Sequence, residues 1–125
     1  MEMIEVVCGI IKKGDKIFIA KKRKEKSLAG YWEFPGGKIE NFESAEEALK
    51  RELYEELGMK VKVLNRVTTN MHNYDEFRVN LIAYLCEFRE ASYKMTDHDQ
   101  YAWIDKKEFN NYKMAPADLP IIEHI

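Results

Sequence analysis

The chain has 125 residues, 46% hydrophobic and 34% charged, with a net charge of −2, and reads as one globular domain, 1–125, long enough for a real core. No apolar run approaches the roughly 18–20 residues of a membrane helix, and Met1 to Glu5 lack the basic and apolar regions of a signal peptide. Cys8 and Cys86 lie in apolar segments and read as reduced core thiols, so a cytoplasmic protein with no membrane attachment is expected.

Val6 to Ile11 is a short apolar run, Gly14-Asp15 marks a turn, and Lys16 to Ala20 alternates, which predicts a β-hairpin. Lys21 to Gly30 is polar and loop-like. Tyr31 to Phe34 suits a short strand, closed by the breaker Pro35-Gly36-Gly37. Ser44 to Leu57 is the clearest helix: Ser44 and Glu47 form a capping box and Gly58 stands at the C′ position. Lys60 to Thr69, Phe77 to Phe88 and Gln100 to Ile104 read as strands. Asp105 suits the cap of a short helix through Asn110, and Pro116 to Ile125 reads as a final short helix. The expected class is α+β, β-rich with few helices.

Charge is unevenly spread. Residues 12–26 hold eight of the twenty Lys and Arg, and seven glutamates follow between Gly36 and Met59. A basic segment beside an acidic one suits an anionic ligand bridged to carboxylates by metal. A nucleic-acid groove is not expected, because the balance is acidic and no binding motif is visible.

On a helical wheel at about 100° per residue, with Ala45 at zero, Leu49, Leu53 and Leu57 fall at about 40°, 80° and 120°. Glu56 falls near 20°, Glu52 near −20° and Glu55 near −80°, beside the core stripe rather than opposite it. Like charges at i,i+3 and i,i+4 repel by roughly 0.2–0.5 kcal/mol per pair. Three of them bordering the core imply a neutralising cation. Mg²⁺ takes oxygen ligands and is often held by a few carboxylates plus substrate phosphates. Arg51 can pair bidentately with a carboxylate, and Glu43 is a reasonable partner, though a plain surface ion pair fits equally well. Gly36-Gly37 let the backbone approach a ligand closely or adopt φ > 0.

The run Gly37, Glu43, Arg51, Glu52, Leu53, Glu55, Glu56, Gly58 and Met59 resembles the Nudix hydrolase signature at every fixed position. Tyr31 to Glu40 resembles the approach to that signature in the MutT-like branch. Ala115 to Pro120 resembles the C-terminal segment of CTP pyrophosphohydrolases in the branch. The resemblance implies an α/β/α sandwich, a mixed sheet between helices, and Mg²⁺- or Mn²⁺-dependent hydrolysis of a nucleoside diphosphate linked to another group. In MutT-like members water attacks the β-phosphorus of a nucleoside triphosphate, giving nucleoside monophosphate and pyrophosphate. By the same resemblance Gly37 offers its carbonyl to metal. Glu52, Glu55 and Glu56 are metal ligands, and Glu52 also helps to activate water. Arg51 and Glu43 hold helix and loop in register, and Lys38 contacts phosphate. A further ligand is expected six residues before Trp103, at Asp97, where relatives usually carry Glu; Asp99 is the fallback. His98 between them reads as a solvent-exposed loop histidine.

Asp118 is the candidate for reading the base. An ionised Asp accepts hydrogen bonds and favours an exocyclic amine such as cytosine N4, whereas a protonated one donates; a plain N-cap of the last helix also fits. Lys22, Phe77 and Asn80 are the other candidate contacts to base or sugar. The expected substrate is (d)CTP or an oxidised nucleotide such as 8-oxo-dGTP, and the expected state a monomer or weak homodimer. A diadenosine polyphosphate, for which Tyr74 is a cue, and a non-catalytic nucleotide-binding module are the alternatives.

Overall fold

The computed structural model describes residues 2–26 and 28–125. Its strands are β1 (Glu2–Lys13), β2 (Lys16–Lys22), β3 (Trp32–Glu33), β4 (Gly36–Lys38), β5 (Met59–Asn73), β6 (Phe77–Ala91) and β7 (His98–Ile104). The α-helices are α1 (Ala45–Leu57) and α2 (Leu119–Ile122), with 3₁₀ turns at Lys106–Asn111 and Pro116–Asp118.

β1 is the centre of the sheet, which runs β3-β2-β1-β6-β5 with β4 on β1 and β7 on β2. β1 pairs in parallel with β6 from Glu2↔Phe77 to Lys12↔Glu87. Its antiparallel contact with β2 is confined to Lys12↔Ile17 and Lys13↔Lys16, which leaves Val6 to Cys8 free to pair with β4. The two core strands are apolar on both faces. In β6, Val79, Leu81 and Ala83 face one core cluster, with Ile121 and Phe109 of the C-terminal segment. Ile82, Tyr84 and Cys86 face the other, with Leu49, Leu53 and Leu57 of α1. This is the near-continuous hydrophobic run of a strand buried on both sides, and it gives the helix–sheet–helix layering.

α1 begins and ends as its sequence requires. The Glu47 amide donates to Ser44 Oγ at 3.1 Å and the Ser44 amide to Glu47 Oε1 at 2.8 Å, satisfying two amides that no helical carbonyl reaches. Gly58 adopts φ 58°, ψ 33°, the left-handed region that costs glycine least.

Several sequence expectations need correction. Pro35-Gly36-Gly37 does not break the sheet: Gly36–Lys38 is a strand, registered as Val6↔Lys38 and Cys8↔Gly36. Neither Gly36 nor Gly37 takes a positive φ. Gly36 serves close approach instead, since a Cβ there would collide with the Val7 carbonyl. The hairpin strands run past their apolar cores because main-chain pairing carries polar ends such as Asn70 to Asn73 along with β6. The final helix is only a 3₁₀ turn and four residues of α2, and the turn after Asp105 is also 3₁₀.

Replacing Gly36 with Ala is expected to lower stability by about 1–3 kcal/mol, the usual cost of forcing extra atoms into a packed site. Urea unfolding of Gly36→Ala against wild type measures it.

Candidate active site

Arg51 stands on α1 with its guanidinium turned back over the loop that follows β4. Nη2 and Nε bind the two oxygens of Glu43 at 2.6 and 3.1 Å. Nη2 also donates to the Lys38 carbonyl at 3.1 Å, and Nη1 to Glu52 Oε1 at 2.8 Å and Glu55 Oε2 at 3.3 Å. The Glu40 amide completes the loop by donating to Glu43 Oε1 at 2.9 Å. One planar fork of donors thus fixes helix, loop and strand end together, which a point-like ammonium could not do. Glu43 is held below the ordinary carboxylate range by the Arg51 hydrogen bonds and then the Glu40 amide. This is a structural clamp rather than an isolated surface pair.

The carboxylates fall as the wheel orders them. Glu56 is buried at 7% exposure, the Glu52 side chain is 16% exposed and that of Glu55 58% exposed. Gly37 lies against Glu52 so closely that a Cβ would overlap the carboxyl group. Burial pushes the Glu56 carboxyl far above its ordinary value, helped by a hydrogen bond with Glu52 and the charges of Asp97 and Glu33.

The segment after β6 is tied to the end of α1. The amides of Ser92, Tyr93 and Thr96 donate to the carbonyls of Gly58, Leu57 and Glu56 at 3.1, 3.0 and 3.2 Å. These bonds occupy carbonyls that a helix end leaves open, and they deliver Asp97 and His98 to Glu56. Asp97 is half-buried and pairs with Lys26 at 3.3 Å. His98 is not a solvent-exposed loop histidine. It is fully buried, the first residue of β7, with Nε2 2.8 Å from Glu33 Oε2. Asp99 is exposed.

This acidic neighbourhood fits a divalent cation. Its carboxylate oxygens suit a hard divalent cation. A buried carboxylate surrounded by others is costly unless it is protonated or neutralised. Among the described residues no three acidic, histidine or cysteine side chains already converge on one point. An ion would therefore draw Glu52 and Glu56 together instead of entering a finished cage. Glu55 stands apart from them, on the solvent side of Arg51.

Beside these groups opens a cavity of about 170 Å³. Gly37, Lys38, Phe77, Tyr74, Asp118 and Lys22 are among the residues that line it. Asp118 does not cap α2 with its side chain. It is buried, and Oδ2 accepts the Phe34 amide at 2.8 Å. Burial pushes its carboxyl well above the usual value, reinforced by the Glu33 charge and opposed by the Phe34 amide. Asn80 is not among the cavity residues. The two-residue period of β6 turns it to the face opposite Phe77, and its amide lies 3.5 Å from Glu5 Oε2.

Sequence reasoning missed Glu33 and Arg23 and misplaced His98 on the surface. Glu33 had a readable signal, a charge inside a half-buried strand. Arg23 Nε is buried without a hydrogen-bond partner among the described residues, which only the fold reveals.

A helix whose glutamates are clamped by one arginine thus borders a cavity lined by Gly37, Lys38 and Asp118. The chain belongs to the NUDIX domain family, which matches residues 6–124. It is 37% identical over 123 residues to the CTP pyrophosphohydrolase of Escherichia coli K12, covering 98% of this chain and 91% of that protein. It is 49% identical over 61 residues to an 8-oxo-dGTP diphosphatase of Buchnera aphidicola, covering 49% of this chain and 47% of that protein. Among solved structures it is similar to the E. coli ORF135 protein, with a TM-score of 0.82 at 36% identity over 99% of this chain and 89% of that one.

The protonation of Glu56 gives a stability slope. The folded carboxyl keeps its proton where the unfolded one has lost it, so the metal-free chain loses stability as pH rises above the ordinary value of 4.5. Glu56→Gln is expected to remove that slope and to exceed wild type in stability under alkaline, metal-free conditions. Urea midpoints of both proteins from about pH 5 to about pH 9 measure the difference.

Proposed function

We propose that this protein is a Mg²⁺- or Mn²⁺-dependent nucleoside triphosphate pyrophosphohydrolase that prefers (d)CTP or a modified nucleotide such as 8-oxo-dGTP. The observation that carries the reading is the single cavity: Asp118 and Phe77 line it together with Gly37 and Lys38, and Gly37 touches the Glu52 carboxyl. A ligand that carries both a base and a polyphosphate matches that lining.

The residues that would hold the metal are Glu52, Glu56 and the Gly37 carbonyl, with Glu55 and Asp97 at the edge. The metal supplies charge neutralisation of the phosphates and a more acidic bound water. The rest is positioning, since phosphoryl transfer needs alignment and electrostatics more than covalent chemistry. Arg51 holds Glu52 Oε1, which orients that carboxylate to accept a proton from water. The water oxygen bonds to the β-phosphorus, the bond to the oxygen shared with the α-phosphate breaks, and nucleoside monophosphate leaves. Lys38 and Lys22 balance phosphate charge from the cavity wall.

At the base end, Phe77 and Tyr74 supply aromatic surface, their ring centroids 5.2 Å apart. Because burial favours the protonated form of Asp118, its carboxyl offers one donor and one acceptor. That pattern complements N3 and N4 of cytosine. The similarity to a CTP pyrophosphohydrolase along nearly the whole chain supports the same base. The Tyr74 hydroxyl accepts the Ala117 amide at 3.2 Å.

Pyrophosphate release from a panel of NTPs and dNTPs, with 5-methyl-dCTP and 8-oxo-dGTP included, tests the activity. Turnover should require Mg²⁺ or Mn²⁺ and stop with EDTA; no turnover of any nucleotide refutes the reading. Glu52→Gln should lower kcat by about 10²–10⁴-fold, the range for removing a positioned proton acceptor. A binding module would show no activity to lose.

The pH profile tests Asp118. As pH rises through its elevated range, wild type loses the donor to cytosine N3, so kcat/KM for CTP falls. Asp118→Asn keeps a donor and an acceptor at every pH and should lack that fall. Superimposable profiles would make Asp118 purely structural.

A further inference from the structure

His98 sits between the two halves of the site, and the proposed function uses neither of its nitrogens. Its ring is fully buried. Nε2 is 2.8 Å from Glu33 Oε2. Nδ1 faces Glu56 Oε1 at 4.0 Å and has no hydrogen-bond partner among the described residues. Glu33 lines the nucleotide cavity, and the amide of the next residue, Phe34, holds Asp118. On the other side, Thr96, two residues before His98, donates to the Glu56 carbonyl. Polar contacts therefore run from Asp118 through Phe34 and Glu33 to His98, and an unbridged 4.0 Å separates Nδ1 from Glu56.

We propose that His98 is a positioning residue that holds the wall of the nucleotide cavity and the metal-side carboxylate of α1 in one register, so that each ring nitrogen serves a different half of the site. The inference rests on Glu56 belonging to the metal site. Groups that hydrogen-bond to a metal's carboxylate and imidazole ligands fix their orientation, and their loss costs about 10–100-fold in metal affinity. An imidazole suits the task because its two nitrogens point apart from a rigid ring, one toward each carboxylate, and both donate when the ring is protonated. A buried nitrogen left without a partner is also rare and costs stability. That cost is understandable where the missing partner, Glu56, must turn to meet an ion.

The two nitrogens can be replaced separately. The amide of His98→Gln reaches the position of Nε2 and keeps a donor for Glu33, with nothing at Nδ1. The amide of His98→Asn lies near Nδ1 and abandons Glu33. Mn²⁺ affinity is read by electron paramagnetic resonance on the full chain without nucleotide, and base selectivity as the kcat/KM ratio across the nucleotide panel. His98→Gln should weaken Mn²⁺ binding by about 10–100-fold and keep selectivity. His98→Asn should keep Mn²⁺ binding and flatten selectivity. A merely structural histidine would lower the melting temperature in both variants without this split, and folded variants with unchanged Mn²⁺ affinity and selectivity overturn the proposal.

If neither histidine variant folds, Glu33 carries the test from the cavity side. Glu33→Gln keeps an acceptor for Nε2, whereas Glu33→Ala removes it, and both lose the same charge. Weaker Mn²⁺ binding in Glu33→Ala than in Glu33→Gln supports the link, and equal binding overturns it. Wild type that binds no Mn²⁺ would instead refute the metal-site reading itself.

Discussion

A carboxylate buried at the edge of a helix is the constraint on which this site depends. Glu56 occupies a core-side position on α1, among Leu49, Leu53 and Leu57. Its desolvation has to be relieved by a proton or by a cation. The groups gathered around it, Glu52, Glu33 and Asp97, worsen the repulsion rather than relieve it. Such a cluster is unfavourable for folding alone and reasonable as a receptor for positive charge. Local rules broken at one place, in a chain otherwise consistent with its fold, are what a functional site is expected to show.

Arg51 makes that arrangement tolerable. Its guanidinium gathers Glu43, Glu52, Glu55 and the Lys38 carbonyl, so part of the negative charge is compensated at fixed positions. Glu56, the buried member of the helix's acidic group, is left without a cationic partner of that strength at hydrogen-bond distance. The division separates structure from chemistry: Arg51 and Glu43 hold the loop, while Glu52 and Glu56 remain available. Gly37 has to be glycine for the same reason, since any side chain would displace the Glu52 carboxyl.

The cavity beside the carboxylates depends on contacts far apart in sequence. Tyr74 and Asn70, from the β5–β6 hairpin, pin the amide and carbonyl of Ala117. The Trp32 amide and carbonyl bond to Lys113 and Ala115. Together they bring a C-terminal turn against β3 and aim Asp118 at the Phe34 amide. A hairpin, an edge strand and a 3₁₀ turn thus form one wall, and none of them would hold its shape alone.

The glutamate spacing, the helix with its caps, the strand alternation and the family were legible in the sequence. Each depends on local periodicity or on short-range chemistry: a 3.6-residue period places Glu52 and Glu56 beside the leucines, and Ser44, Glu47 and Gly58 act on their own backbone. The strand at Gly36–Lys38, the burial of His98 and the exclusion of Asn80 from the cavity were not legible. They depend on which strands lie against β1, on how α1 ties down the segment before β7, and on which face of β6 meets the C-terminal turn. A charged or polar residue looks the same in sequence whether its partner is water or a carboxylate from a distant strand. Sequence alone therefore determined the helix that carries the acids and the reaction it implies. Tertiary structure decided which acid is buried, what His98 touches and where the cavity lies, because those are set by long-range packing.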